Sequence, residues 1–277
     1  VGNITNIVMD YFLIVRWGWD STGAGISATV SQYLALFLGL IFIAFAVRLQ
    51  VIRKVAPLLR DLSGYKDTLT LNRDIFIRTL VIMSTFAIFI DLSGVMGKVT
   101  LAENALMFQV FYLAIFCFEG VGFATETLSG NFKGKKTNEQ LVPLVGVSLG
   151  TSLIVGFNFA LACVLFPETV FGLLTDHIEV IKQITHHVRW LLVVLLCSSI
   201  AFMLDGYFVG VSEGKIIRNV SLIAALLGFS PVAFFAWYYQ SNHILWLALS
   251  TFLASRAIML GVQLTKSLKA GNVKFLA

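Results

Sequence analysis

Charged residues are scarce in this chain. Of its 277 residues only 13% are charged, whereas 58% are hydrophobic and the mean hydropathy is +0.87. Soluble domains carry about 25% charged residues and about 45–50% apolar ones. This composition excludes a soluble enzyme, a disordered chain and a nucleic-acid-binding protein, despite a net charge of +5. The sequence predicts an integral membrane protein.

Cysteines and catalytic motifs are also few. The three cysteines lie in apolar runs without ligand spacing, and the four histidines show no HExxH pattern. There is no phosphate-binding glycine loop, no GxSxG motif and no Cys–His pair suited to catalysis. We therefore expect no enzyme activity, no cofactor and no metal site. Transport by such a chain would need an ion gradient as its energy source.

Long apolar runs dominate what is present. A helix needs about 20 apolar residues to cross the hydrocarbon core, whereas barrel strands alternate over about 10 residues. The runs predict an all-α membrane protein, a polytopic bundle of eight transmembrane helices. Their approximate bounds are 1–17, 24–47, 75–97, 104–128, 141–165, 187–211, 217–239 and 244–265.

The basic residues predict the topology. Most of them fall in the intervals 48–73, 129–140 and 212–218 and in the C-terminal tail. By the positive-inside rule these segments, including the C-terminus, are cytoplasmic, in the inner membrane if the source is bacterial. The polar interval 48–73 is interpreted as a linker between a helix pair (1–47) and a six-helix lobe (74–277).

Polar residues within the predicted spans mark candidate sites, because a charge at mid-membrane costs about 2.5–3.5 kcal/mol. Asn3, Asn6 and Asp10 lie at i, i+3 and i+7, on one helix face. They predict either a structural hydrogen bond between helices or a proton or cation site with Asp10 as carboxylate and Asn6 as a neighbouring oxygen ligand. Asn3 is a candidate cavity-lining residue.

A second group of polar residues lies in the later spans. Asp205 is flanked by Gly206 and Gly210, which permit close helix approach. Tyr112, Glu119 and Glu126 repeat at i, i+7 and i+14, and two nearby carboxylates favour proton exchange.

Arg78 is the remaining charged residue for which the sequence suggests a role. It either extends toward the membrane surface or pairs with Asp205 or Glu119. Glu119 and Asp205 are candidate coupling residues, and Arg78, Tyr112 and Glu126 are candidate cavity-lining residues.

Several motifs in order carry a family resemblance. They are Asn6-x-x-x-Asp10-Tyr11, Gly18-Trp19-x-x-x-Gly23-Ala24-Gly25-Ile26-Ser27, Asn72-Arg73-Asp74, Phe118-Glu119-Gly120-x-x-Phe123-Ala124-x-Glu126-Thr127, Leu204-Asp205-Gly206-Tyr207-Phe208-x-Gly210 and Ala254-Ser255-Arg256. Together they resemble helices 5–12 of the multidrug and toxic compound extrusion (MATE) family, in its DinF-like branch. The resemblance covers essentially the whole chain.

The resemblance implies a twelve-helix antiporter with two six-helix lobes, whose helices 1–4 precede this sequence in the same full-length chain. It implies that Asn6 and Asp10 belong to an N-lobe cluster coupled to H⁺ or Na⁺, and that Asp205 matches a C-lobe carboxylate. Arg78 stands where some branches carry a cation-binding Glu, which argues against a C-lobe Na⁺ site. At Glu119 the branch often has Asp.

The expected function is export of amphipathic, often cationic, organic compounds in exchange for H⁺ or Na⁺ by alternating access. Carboxylates outnumber arginines in the spans, which favours cationic compounds. The alternatives are a flippase for lipid-linked precursors and a non-transporting truncated remnant. The expected partners are a small drug-like molecule, the coupling ion and membrane lipids, without nucleic acid. We expect these 277 residues alone not to transport.

Overall fold

The computed structural model describes residues 1–46 and 62–270. The chain forms two compact units, Val1–Lys66 and Asp67–Ala277. Most of the predicted linker, residues 48–61, lies outside the described residues, and its remainder is helical. The predicted domain bounds therefore stay a prediction.

The described residues are helical, with no strand among them. The N-terminal unit contains α1 (Gly2–Asp10), a π-helix (Tyr11–Arg16) and α2 (Asp20–Ala46). The helices that follow are α3 (Leu62–Met96), α4 (Lys98–Gly134), a 3₁₀ turn (Asn138–Gln140), α5 (Leu141–Leu165), α6 (Pro167–Gly172), α7 (Ile178–His187), α8 (Arg189–Gly210), α9 (Gly214–Ile223), a π-helix (Ala224–Phe229), α10 (Ser230–Tyr239) and α11 (Asn242–Ala270).

Seven helical segments in the described part of the chain are long and apolar enough to cross a membrane. The segment Gly214–Tyr239 counts as one span although a π-helix interrupts it. Pro231 lies in the first turn after that π-helix and lacks the N–H that a regular helix needs. The all-α polytopic fold is thus confirmed, and the first predicted span corresponds to the short segment α1 plus its π-helix.

In the N-terminal unit, α1 packs closely on α2. A Cβ atom at Gly2 would lie 3.1 Å from Cβ of Ala35, so the two backbones approach where Gly2 has no side chain. The π-helix that follows α1 ends with the N–H of Trp17 donating to the carbonyl of Phe12 at 3.0 Å. Gly18 then takes φ +68°, a left-handed conformation that glycine adopts at low cost and that turns the chain into α2.

Helix α8 lies at the centre of the C-terminal unit, where it packs against α4, α5 and α11. The eight residues 201–208 are all buried, Asp205 among them. Hydrophobic contact with helices on several sides explains why this helix has no polar face. A charged residue in this segment is therefore enclosed by protein rather than lipid.

Helices α4 and α8 approach each other through glycine, as the sequence predicts for Gly206 and Gly210. A Cβ atom at Gly206 would lie 2.2 Å from the carbonyl oxygen of Gly122, and one at Gly210 would lie 2.3 Å from that of Glu126. Both distances are too short for any side chain. The contact fixes Glu126 and Asp205 on neighbouring helices.

A polar cluster joins α4, α7 and α11 at one end of this unit. The carboxylate of Glu103, which is 1% exposed, lies 2.7 Å from Nδ1 of His187 and accepts a hydrogen bond from Nδ2 of Asn242 at 3.2 Å. Asn104 accepts a hydrogen bond from Nε1 of Trp246 at 2.9 Å. Burial alone would lower the pKa of His187, but the hydrogen bond and the charge of Glu103 outweigh it and raise the pKa.

We predict that this ion pair makes stability depend on pH. Because the pKa of His187 is raised on folding, its contribution is complete below the ordinary value of about 6.5 and is lost as the pH rises through the folded-state pKa. His187→Gln should lower the stability by about 1–3 kcal/mol at pH 6 and flatten the pH dependence above it. Thermal unfolding in detergent, at pH 6 and at higher pH values, measures both effects.

His186→Gln is the matched control, since His186 is the exposed neighbouring histidine. It should leave the pH profile unchanged. A profile that keeps its shape in His187→Gln would contradict the assignment.

Candidate functional site

The first candidate site lies in the N-terminal unit, between α1 and α2. Nδ2 of Asn6 donates to Oγ of Ser27 at 2.7 Å, and the Ser27 hydroxyl donates to Oδ1 of Asp10. Ser27 is fully buried, whereas Asn6 and Asp10 are half-buried. The predicted pairing of Asn6 with Asp10 is thus indirect, because a serine from the next helix joins them.

This arrangement leaves oxygen atoms available. With its amide nitrogen on Ser27, Asn6 keeps its carbonyl oxygen without a partner among the described residues, and Oδ2 of Asp10 is likewise unbonded there. Carboxylate and amide oxygens can ligate Na⁺, and a carboxylate can also take up a proton. Asn6 and Asp10 could therefore bind either Na⁺ or a proton.

The backbone at this site is irregular. Asp10 is the last residue of α1, and the helix continues directly as the π-helix Tyr11–Arg16. Single π-helical turns inside helices often mark functional positions. Asn3, predicted to line a cavity, is exposed and has no hydrogen-bond partner in the described part of the chain.

The second candidate site surrounds Asp205 on α8. Oδ2 of Asp205 accepts hydrogen bonds from Nε of Arg78 at 3.0 Å and from Nη2 of Arg256 at 2.5 Å. Nη2 of Arg78 also contacts it. Of the two partners that the sequence offered for Arg78, the structure shows Asp205.

Arg256 is buried more completely than any other charged group at this site. Its side chain is 0% exposed, and its guanidinium lies 5.5 Å from the ring centre of Phe202 and 5.7 Å from that of Phe252. Aromatic faces stabilise a cation where water is excluded. Two guanidinium groups on Oδ2 of one carboxylate leave an excess of one positive charge, which opposes the binding of a cation at Asp205, although its Oδ1 is buried without a partner among the described residues.

A cleft of about 250 Å³ opens beside this ion pair, with Glu119 and Glu126 in its wall. Arg78, Asp205, Phe123 and Phe202 line it as well. Neither glutamate side chain has a partner among the described residues, although both are half-buried. The predicted stripe thus contributes two carboxylates to a single cleft that also contains aromatic rings.

Tyr112 is the member of that stripe that lies elsewhere. Its ring packs edge-on against Phe86 and Phe108, with centres 6.1 Å and 5.6 Å apart, and it does not line the cleft. Seven residues make nearly two helical turns, so Tyr112 shares the face of Glu119 but lies about 10 Å closer to the start of α4. Its role as a cavity-lining residue stays a prediction.

Three elements of these sites were missed by sequence reasoning. Ser27 was noted only as part of a motif, Arg256 was left without a partner, and the Glu103–His187 pair was not foreseen. The available signals were a small polar residue on the buried face of α2 and a lone arginine inside an apolar span. Residues 1–46 and 62–270 contain no group of three histidine, cysteine or acidic side chains arranged to hold a metal.

Comparison with known protein families gives one matching family model, described as MatE, over residues 75–234. Among curated proteins, the chain is 28% identical over 260 residues to the DNA damage-inducible protein F of Escherichia coli K12, covering 94% of this chain and 56% of that protein. It is 21% identical to the chloroplastic Protein DETOXIFICATION 45 of Arabidopsis thaliana, covering 77% and 37%. The chain therefore spans about half the length, or less, of these relatives.

Solved structures share the fold. A MATE protein in complex with MaL6 superposes with a TM-score of 0.83 at 18% identity, over 98% of this chain and 61% of that one. A mutant of the Vibrio cholerae MATE transporter VcmN gives 0.82 at 15% identity, over 98% and 61%. A MOP superfamily transporter from Pyrococcus furiosus, whose binding pocket is described as reversed in polarity, gives 0.72 at 18% identity, over 99% and 62%.

We predict unequal effects from removing the partners at Asp205. Asp205→Leu leaves two guanidinium groups buried without their carboxylate and should cost about 3–5 kcal/mol of unfolding free energy. Arg256→Met keeps the Arg78–Asp205 pair, fills a similar volume and should cost much less. Thermal unfolding in detergent compares the two variants. Equal destabilisation would show that Arg256 matters mainly through its own contacts.

Proposed function

This chain belongs to the MatE family of membrane transporters, and we propose that it forms part of an antiporter that exports amphipathic cationic compounds. The exchanged ion is H⁺ or Na⁺, and the mechanism is alternating access. The location is a cellular membrane, the inner one in a bacterium, with the C-terminus in the cytoplasm.

The observation that carries this proposal is the cleft beside α4 and α8. It holds two carboxylates without protein partners, Glu119 and Glu126, together with the rings of Phe123 and Phe202. A cationic amphipathic compound needs these two features: negative charge for its amine and apolar faces for its rings. Arg78 and Arg256 share Asp205 and leave one excess positive charge, which is fewer than the two negative charges that Glu119 and Glu126 bring to the cleft.

The coupling ion is assigned to Asp10 and Asn6 in the N-terminal unit. Binding of a proton or Na⁺ at Asp10 changes the charge next to Ser27 and Asn6, and this change biases the transporter toward the conformation that releases its substrate. Asp205 is a weaker candidate for this role because two arginines already occupy it. Glu119 takes part in coupling if protonation of the cleft releases the cation.

An anionic substrate, such as a lipid-linked precursor, is the second candidate. The observation that favours it is the excess of one positive charge around Asp205. Arg256 is fully enclosed, however, and the two glutamates that line the same cleft outnumber this one excess positive charge. Transport of an organic cation and of an anionic lipid analogue by the glutamate variants distinguishes the two substrate classes.

We predict that Asp10→Asn abolishes ion-driven export by the full-length protein, because an amide can neither take up the proton nor supply a negative ligand. Efflux of a fluorescent organic cation from membrane vesicles, driven in turn by a proton and a sodium gradient, measures this. Asp20→Asn, an exposed carboxylate at the start of α2, is the matched control. Unchanged export in Asp10→Asn would reject this residue as the coupling site.

We predict that Glu119→Gln with Glu126→Gln raises KM for organic cations about tenfold, which corresponds to about 1.4 kcal/mol of binding free energy. The reason is the loss of negative charge from the cleft. Glu139→Gln, an exposed carboxylate beyond the end of α4, should leave KM unchanged. An unchanged KM for cations, together with improved transport of an anionic lipid analogue, would favour the flippase alternative instead.

A further inference from the structure

A second cavity, of about 230 Å³, lies where four helices end or begin. The end of α4, the start of α5, the end of α8 and the last turns of α11 enclose it. Its polar lining consists of Lys133, Lys136, Asn138, Tyr207, Ser267 and one carboxylate, that of the exposed Glu213, and its apolar lining consists of Leu141, Val211 and Leu268. This volume equals that of roughly eight water molecules, which is enough for a phosphate group and its ester oxygens.

The two lysines differ in how they are held. Nζ of Lys133 donates to the main-chain carbonyl of Val211 at the end of α8, so the ammonium group is fixed at the cavity while two of its three N–H donors remain available. Lys136 has no side-chain partner among the described residues. Its ammonium group is free to turn toward a bound anion.

The backbone at Lys136 is an independent observation. Lys136 has φ +59° and follows the end of α4, where its N–H donates to the carbonyl of Lys133 at 3.1 Å and that of Thr137 donates to Phe132 at 2.9 Å. This helix ending favours glycine, and a lysine in the left-handed region is less stable. A charged residue kept at a strained position indicates a use for its charge.

The neutral end of the cavity supplies a further donor. Tyr207, on α8, is 1% exposed and lines the cavity together with Ser267 on α11. Hydroxyl groups stabilise phosphate oxygens without adding charge. Two lysines against Glu213 leave one net positive charge, which matches a phosphodiester.

We propose that this cavity binds the phosphate group of an anionic phospholipid, with Lys133 and Lys136 as its charged contacts and Tyr207 as a neutral one. Basic pockets between transmembrane helices at the membrane surface hold such headgroups. The helix ends that form the cavity are those that the positive-inside rule assigns to the cytoplasmic surface, where anionic lipids are present. This proposal does not depend on which compound the transporter exports.

The test is native mass spectrometry of the protein as its gene encodes it, titrated with phosphatidylglycerol and with phosphatidylcholine of the same acyl chains. Phosphatidylglycerol should bind more tightly. Lys136→Gly should weaken it about fivefold, and Lys133→Ala with Lys136→Ala about thirtyfold. Lys135→Ala removes a charge from the same loop outside the cavity and should change binding less than twofold.

Four outcomes would overturn the proposal. Equal binding of the two lipids, or an equal loss in Lys135→Ala, would mean that the lysines act only as diffuse surface charge. Displacement of the lipid by millimolar inorganic phosphate would assign the cavity to a free anion. Lys136→Gly should also melt no lower than the wild type, since glycine suits the backbone there, and a lower melting temperature would make Lys136 a structural residue.

Discussion

The close contact between the backbones of α4 and α8 is the constraint on which the C-terminal unit depends. Gly206 and Gly210 press against the carbonyl oxygens of Gly122 and Glu126, with no room for a methyl group. This contact sets the rotation of both helices about their axes. It therefore determines that Glu119 and Glu126 face the cleft beside Asp205, while the apolar sides of α8 meet α5 and α11. The position of the charged residues in this cleft therefore depends on the close glycine contact between α4 and α8.

The aspartates of the two units, Asp205 and Asp10, differ in how their charge is compensated. In the C-terminal unit two guanidinium groups bind Oδ2 of Asp205 and more than neutralise its charge, and the same cleft keeps two glutamates without partners among the described residues. In the N-terminal unit Asp10 has one neutral donor, Ser27, so its carboxylate is oriented without being neutralised. A carboxylate that is held in place but remains uncompensated is suited to exchange an ion, whereas one in a buried ion pair is suited to hold helices together. This difference separates candidates that look alike in the sequence.

Much of the fold could be predicted from local patterns. Apolar run length is a property of each segment, and it correctly gave the all-α polytopic fold. Helical spacing predicted that Asn6 and Asp10 share one helix face, and both residues bond to Ser27. Partners across helices could not be predicted in this way. Asp205 and Arg78 are 127 residues apart, and Asp205 and Arg256 are 51 apart. Whether such residues meet depends on how each helix is rotated about its axis and shifted along it relative to its neighbours. The periodicity of the sequence contains neither quantity. The Ser27 bridge was missed for the same reason.

The three charged residues Arg78, Asp205 and Arg256 are synthesised one after another, so they enter the membrane at different times. Arg78 is synthesised first, with α3, Asp205 follows with α8, and Arg256 comes last, with α11. Each isolated charge opposes insertion by about 2.5–3.5 kcal/mol. Arg78 must therefore remain without its carboxylate while α4 to α7 are made, and it can do so near the membrane surface. Arg256 instead meets a carboxylate that is already in the bilayer. Helix α11 is thus helped into the membrane by a residue translated 51 positions earlier.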